Sequence, residues 1–115
     1  MEARFVYRVL RAREWHEMQR TRVFVGGALD ARDGYVHLST CSQVPETIAR
    51  YFADDAGVVV VEIDAETLGE QLRWERSRGG VLFPHLYAHL AMTSVVRVMD
   101  AGMFTPHVKD DARRH

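Results

Sequence analysis

The sequence predicts an α+β fold built on a mixed or antiparallel sheet, and three observations predict it. Segments with strand pattern outnumber those with helix pattern and fall mostly late in the chain; that order marks α+β architecture, not a doubly wound parallel sheet. Residues 5–10 alternate β-branched and aromatic side chains, a strand signature. Residues 58–63 form a nearly continuous β-branched run, the pattern of a strand covered on both faces.

The elements follow in order. The strand at 5–10 carries Phe5, Tyr7 and Val9 on one face and Val6, Arg8 and Leu10 on the other. Residues 12–20 read as a short helix, with Trp15 and Met18 three apart on its apolar face. Residues 23–27 are an apolar stretch broken by glycines, and residues 30–34 read as a turn. The strand at 35–39 puts Tyr35, His37 and Ser39 on one face and Val36 and Leu38 on the other. Ser42 is the expected N-cap of a helix whose first turn accommodates Pro45. Val44, Ile48, Tyr51 and Phe52 form its apolar stripe, and Asp54, Asp55 and Gly57 end it. After the strand at 58–63, Asp64 caps a brief helical turn holding Leu68, which Gly69 stops. Residues 71–75 and 81–83 read as strands joined by 76–80, and 95–99 as the last central strand. Val36, Leu38, Val44, Ile48, Tyr51, Val59, Val61 and Leu82 are expected in one core. Residues 1–101 are expected to form a single globular domain, and residues 102–115 a polar C-terminal tail.

Bulk composition excludes several classes. A chain of 115 residues is long enough for one core and too short for two domains. A formal charge of −1 leaves no general basic field, so duplex nucleic acid is not an expected partner. The longest apolar run, residues 56–61, is far short of a membrane span, and the first residues lack a signal-peptide pattern. Cys41, the lone cysteine, cannot form an internal disulfide and has no zinc-site surroundings. His85 and His89 have a metal-ligand spacing only on a helix, which Pro84 opposes. No metal is expected, and the expected location is the cytoplasm. Composition leaves the oligomeric state open.

Two segments mix chemically active groups with core residues: Asp33-Gly34-Tyr35-Val36-His37-Leu38-Ser39-Thr40, and residues 73–87. His37 and Ser39, on one face, suit a ribose hydroxyl or a pyrophosphate; a half-buried histidine bonded to a carbonyl is the plainer reading. Glu75 suits acid/base work on a hydroxyl, or else a salt bridge to Arg73, Arg76 or Arg78. Arg78-Gly79-Gly80 suits a backbone loop approaching a phosphate, with the guanidinium forking two oxygens; the glycines equally suit a tight hairpin. His85 and Tyr87, on one side of an extended chain after Pro84, can wall a pocket or stack on a base. Equally, Tyr87 can close the core and His85 cap a loop.

Tyr7 with Trp15, the 33–40 segment with Gln43, Trp74-Glu75 with Ser77-Arg78-Gly79-Gly80, and Phe83-Pro84-His85-Leu86-Tyr87 also carry a resemblance. Together they resemble a small bacterial family without an assigned activity, domain of unknown function 952. The resemblance implies an ADP-ribosyltransferase-like fold, a split and strongly bent sheet around an NAD-type cleft, with NAD as the implied cofactor. His37-Leu38-Ser39, the helix at 43–53, the strand at 58–64 and Gly80-Val81-Leu82-Phe83 are similar to NAD-dependent RNA 2′-phosphotransferases. Those enzymes carry a first-strand histidine element where this chain has Tyr7-Arg8-Val9-Leu10. Arg8 falls where arginine-dependent transferases of the fold keep a first-strand arginine, and Glu75 is the glutamate available for theirs.

The expected function is therefore binding of a nucleotide or phosphorylated small molecule. Arg8, Ser39, Thr40, Arg78, Gly79, Gly80, His85 and Tyr87 are the candidate ligand-binding residues, and Glu75 and His37 the candidate catalytic ones. As an enzyme, the protein is expected to transfer or cleave at a ribose carbon of NAD or of an ADP-ribosylated product. The alternative is a non-catalytic ligand- or protein-binding module that keeps the fold.

Overall fold

Strand β1 (Phe5–Leu10) pairs antiparallel with β4 (Val59–Asp64), and β4 pairs antiparallel with β8 (Val95–Asp100). The structure is a computed structural model that describes residues 4–105, so residues 106–115 of the tail expected over 102–115 lie outside the described residues. β4 is the middle strand of its sheet, as its β-branched run requires, with Val60, Val61 and Ile63 fully buried. The segment expected as the last central strand, β8, lies instead on the sheet edge, and Val96 and Val98 face solvent. A second sheet has the order β3 (Val36–His37), β6 (Leu82–Leu86), β5 (Leu72–Arg76). A small ribbon pairs β2 (Val23–Phe24) with β7 (Leu90–Ala91), a strand the sequence pattern did not reveal. All the pairings are antiparallel, so the fold is α+β with antiparallel sheets and a few short helices.

The two larger sheets meet at one point. Tyr7 and Ser39 exchange backbone hydrogen bonds, each 2.8 Å long, and this isolated bridge is the ladder's whole extent. The strand expected at 35–39 is thereby reduced to two residues, and Pro84 supplies the reason. The Leu38 N–H donates to the Pro84 carbonyl at 3.1 Å, but proline has no N–H to return the bond. β3 stops at His37, and the chain turns to β1 at Ser39.

The helices are set by side chains that reach back to their first N–H groups. Glu14 accepts from the Arg11 N–H at 2.9 Å at the start of α1 (Ala12–Thr21). Asp30 accepts from the Gly27 N–H at 2.6 Å and starts α2 (Ala28–Asp33). The expected turn at 30–34 is thus the end of a helix, closed by Gly34 in the left-handed region at φ 86°. Thr40, not Ser42, heads the next element: its N–H donates to the Gln43 side chain at 3.0 Å across the 3₁₀ turn Cys41–Gln43. That turn runs directly into α3 (Val44–Tyr51), with Pro45 in its first turn as expected. Asp64 caps the following 3₁₀ segment through the Glu66 N–H, and Gly69 breaks it, both as expected. No helix among the described residues is long and apolar enough to cross a membrane.

The expected single core divides in two, because β1 and β4 are covered on both faces. Val6, Leu10, Val61 and Ile63 pack with Val36, Leu38, Leu86 and Leu90 on one side. Tyr7, Val9 and Val60 pack with Val44, Phe52 and Val58 on the other, and Ile48 is only half-buried against them. Tyr51 and Leu82, expected in the core, are 43% and 45% exposed. Phe104 meets the Tyr7 ring edge-on at 5.8 Å, so packing extends past the boundary expected at residue 101. In urea denaturation, Leu86→Ala is expected to lower stability by roughly 2–5 kcal/mol, and Leu82→Ala by no more than about 0.5 kcal/mol.

Candidate functional site

Where β1 and β3 part beyond the Tyr7–Ser39 bridge, the two sheets enclose a cleft of about 550 Å³. Arg8 and Val9 of β1, α2, His37 through Ser39, Thr47 and Tyr51 of α3, Arg78, and Phe83 and His85 of β6 form its walls. The Arg8 guanidinium spans the opening: its Nη1 donates to the His37 carbonyl at 3.1 Å, replacing the backbone ladder that stops there.

Arg8 also donates to Asp30 at 2.9 Å, and both side chains are nearly buried. Asp30 takes in addition the backbone N–H of His37 at 2.8 Å and that of Gly27. Its carboxylate contacts the His37 ring Nδ1 at 2.7 Å, while Nε2 meets Asp33 at 2.9 Å. Both ring contacts are hydrogen bonds only when each nitrogen carries a proton. Burial opposes ionisation of Asp30, but the His37 hydrogen bonds and the Arg8 charge outweigh it and hold the carboxyl well below the usual range. The hydrogen bond from Arg32, seconded by His37, brings Asp33 down to about 2. Gly26 is required beside this cluster: it sits at φ 115°, and a Cβ there would stand 2.9 Å from the Asp30 Cβ.

The second histidine has a different setting. The His85 side chain is 3% exposed, its Nδ1 lies 2.7 Å from the Glu75 carboxylate, and the Tyr87 hydroxyl donates to the same oxygen at 2.8 Å. These two hydrogen bonds, His85 first, keep the Glu75 carboxyl below its ordinary range. The Tyr35 ring stacks on His85 at 4.0 Å, and the His37 ring stands edge-on at 5.9 Å. A carboxylate at Nδ1 holds the proton there and leaves Nε2 to face other groups; Nε2 has no hydrogen-bond partner among the described residues.

The charges of the cleft nearly cancel. Arg8 pairs with Asp30, Arg11 with Glu14 and Asp55, and Arg32 with Asp33. Arg78 is the lining cation with no carboxylate partner among the described residues. Its Nη1 donates to the Tyr51 hydroxyl at 3.3 Å, and its plane lies over the Phe83 ring at 4.9 Å. Its Nη2 is buried with no hydrogen-bond partner among the described residues. The Ser39 and Thr47 hydroxyls, 3.1 Å apart, complete the polar wall.

Of the residues singled out in the sequence, the structure brings Arg8, His37, Ser39, Arg78 and His85 to this cleft. Glu75, expected to border it with His37 and Ser39, stands behind His85, and Tyr87 stands with it. Thr40 caps a helix, and Gly79 and Gly80 take φ 68° and 75° in the β5–β6 turn, away from the cleft walls. Open space surrounds both glycines where a Cβ would stand, so it is the turn's dihedrals that call for them. Asp30, Asp33, Thr47 and Tyr51 were not foreseen as wall residues. Asp30 had a signal in its spacing, three residues after Gly27, which is the geometry of a side chain that caps its own helix.

A family model described as "Protein of unknown function (DUF952)" matches residues 9–98. The crystal structure of protein CC0527 from Caulobacter crescentus is 39% identical, with 93% of this chain and 96% of that one covered at a TM-score of 0.80. Its double-mutant crystal form is similar at 38% identity, the same coverage and a TM-score of 0.80. The solution NMR structure of the same protein covers 96% and 98% at 38% identity and a TM-score of 0.74. No curated protein matches the chain.

Asp30 also dictates an acid response. Its folded-state pKa lies below the unfolded value of about 3.9, so its contribution is fully present above that value and is lost as pH falls through the folded pKa. Urea midpoints of the wild type are expected to hold from neutral pH into the mildly acidic range and then drop. Asp30→Asn, which strands Arg8, is expected to cost roughly 3–5 kcal/mol at neutral pH, with the gap to wild type closing as the pH falls.

Proposed function

The chain belongs to the DUF952 family, and from that premise we propose that its cleft binds a nucleotide or another phosphorylated small molecule. The observation that carries this reading is the Arg78 guanidinium, which lines the cleft with a buried, unsatisfied Nη2 and no carboxylate neighbour among the described residues. Leaving a buried donor unmade costs roughly 1–3 kcal/mol, more for a charged group, and a phosphate oxygen removes that cost. A planar guanidinium suits two phosphate oxygens at once. The Ser39 and Thr47 hydroxyls add donors, and the half-exposed Tyr51 ring offers a face on which a base can stack.

On this reading the parted antiparallel sheets correspond to the ADP-ribosyltransferase-like arrangement, and the ligands of first choice are NAD and ADP-ribose. His37, with both ring nitrogens held by carboxylates, orients the wall and anchors α2. Isothermal titration with NAD, ADP-ribose and inorganic pyrophosphate tests the reading. At least one is expected to bind the wild type, and Arg78→Lys to weaken binding by about tenfold to a hundredfold, although charge is kept. Absence of binding by all three at millimolar concentration overturns it.

A further inference from the structure

We propose that the cleft hydrolyses phosphodiesters of small molecules, with His85 as the general base and Glu75 as the residue that positions it; the proposal rests on the phosphate-binding reading above. Three observations combine. First, of the two histidines at the cleft, His37 has both nitrogens engaged, whereas His85 has Nδ1 bonded to Glu75 and Nε2 without a partner among the described residues. A ring whose Nδ1 proton is held by a carboxylate presents a lone pair at Nε2, the state in which imidazole accepts a proton. Second, this ring is fixed: Tyr35 stacks on one face, and Tyr87 binds the same Glu75 oxygen and holds it in place. Third, the unpaired cation is close by. Arg78 lies over Phe83, and His85 follows Phe83 by two residues on the same face of β6, a separation of about 7 Å along a strand.

Arg78 is the lining cation without a carboxylate partner among the described residues, and its one positive charge matches the single negative charge of a phosphodiester better than the two of a monoester. The step needs only water as co-reactant. As the water oxygen bonds to phosphorus, His85 Nε2 takes one of its protons. The bond from phosphorus to the leaving oxygen breaks with its electron pair going to that oxygen. The proton then passes from the ring to the leaving oxygen or to solvent, and the products are a phosphomonoester and an alcohol. Arg78 faces the charge that grows on the non-bridging oxygens. Glu75 lies outside the cleft walls and acts by holding the ring and the proton on its Nδ1.

The test is an assay of the full chain with bis(p-nitrophenyl) phosphate and thymidine 5′-p-nitrophenyl phosphate, with EDTA present, beside titration of each diester. The wild type is expected to release p-nitrophenolate above the buffer rate. His85→Gln should lower kcat by about 10²–10⁴-fold with KM little changed. Glu75→Gln keeps an oxygen for both hydrogen bonds but removes the charge. It should lower kcat by less than His85→Gln does, while KM for the diester and the urea midpoint stay near wild type, a split that a loss of packing alone does not give. Diesters that bind without turnover overturn the proposal and leave the binding reading standing; failure of the diesters, NAD, ADP-ribose and pyrophosphate to bind overturns both. Wild-type turnover that EDTA abolishes, or that survives in His85→Gln, also overturns the proposal. Should His85→Gln not fold by circular dichroism, an unchanged kcat in Glu75→Gln overturns it.

Discussion

The carboxylate of Asp30, almost wholly buried, gathers hydrogen bonds from three parts of the chain: Arg8 on β1, the Gly27 N–H ahead of α2, and both the backbone and the ring of His37 on β3. α2 is six residues long, too short to persist by its own hydrogen bonds. What keeps it in place is this carboxylate, and the glycine at 26 is the local consequence. Removing a charge from such a site leaves its partner buried and unpaired, so the cluster behaves as a unit. The wall of the cleft and the orientation of His37 follow from it.

The cleft itself exists because a sheet fails to continue. A ladder running on from the Tyr7–Ser39 bridge would have closed the space between β1 and β3. On its other side β3 is short as well: Pro84 of β6 lacks the N–H that would answer Leu38, so the β3–β6 ladder ends after two residues. The Arg8 side chain then occupies the wedge and binds the exposed His37 carbonyl. A backbone break, a buried ion pair and an open pocket are therefore parts of one arrangement.

Partner count separates groups that look alike in the sequence. Two histidines line the cleft as cross-strand neighbours on β3 and β6. His37 has a carboxylate at each ring nitrogen; His85 meets one carboxylate, and its Nε2 has no partner among the described residues. The arginines sort in the same way, Arg8, Arg11 and Arg32 being neutralised by neighbours while Arg78 is flanked by aromatic faces instead. Type and spacing cannot make these distinctions, because each depends on which carboxylate the fold brings alongside.

Features written in local pattern were legible in the sequence alone. The strands at 5–10 and 58–63, the helix after residue 11, the Asp64 cap, the Gly69 stop and the α+β class all rest on periodicity, β-branching or turn chemistry within a few residues, and the second strand is displaced by one residue in the fold. So did the gathering of His37, Ser39, Arg78 and His85, since the two segments that hold them mix polar and core residues conspicuously. The tertiary structure decided the rest. Asp30 and Asp33 read as turn residues until Arg8 and His37, distant in sequence or in backbone direction, make them the end of a helix. Tyr51 fits an apolar helix stripe and Leu82 an apolar strand, yet the core divides on the two faces of β1 and β4 and both side chains stay at the surface. Glu75 has the chemistry of a cleft residue but stands behind His85, because the pairing of β5 with β6 sets which side chain reaches the opening. Local sequence determines what each segment can be; only long-range pairing and burial determine which charged groups meet, and therefore which remain available to a ligand.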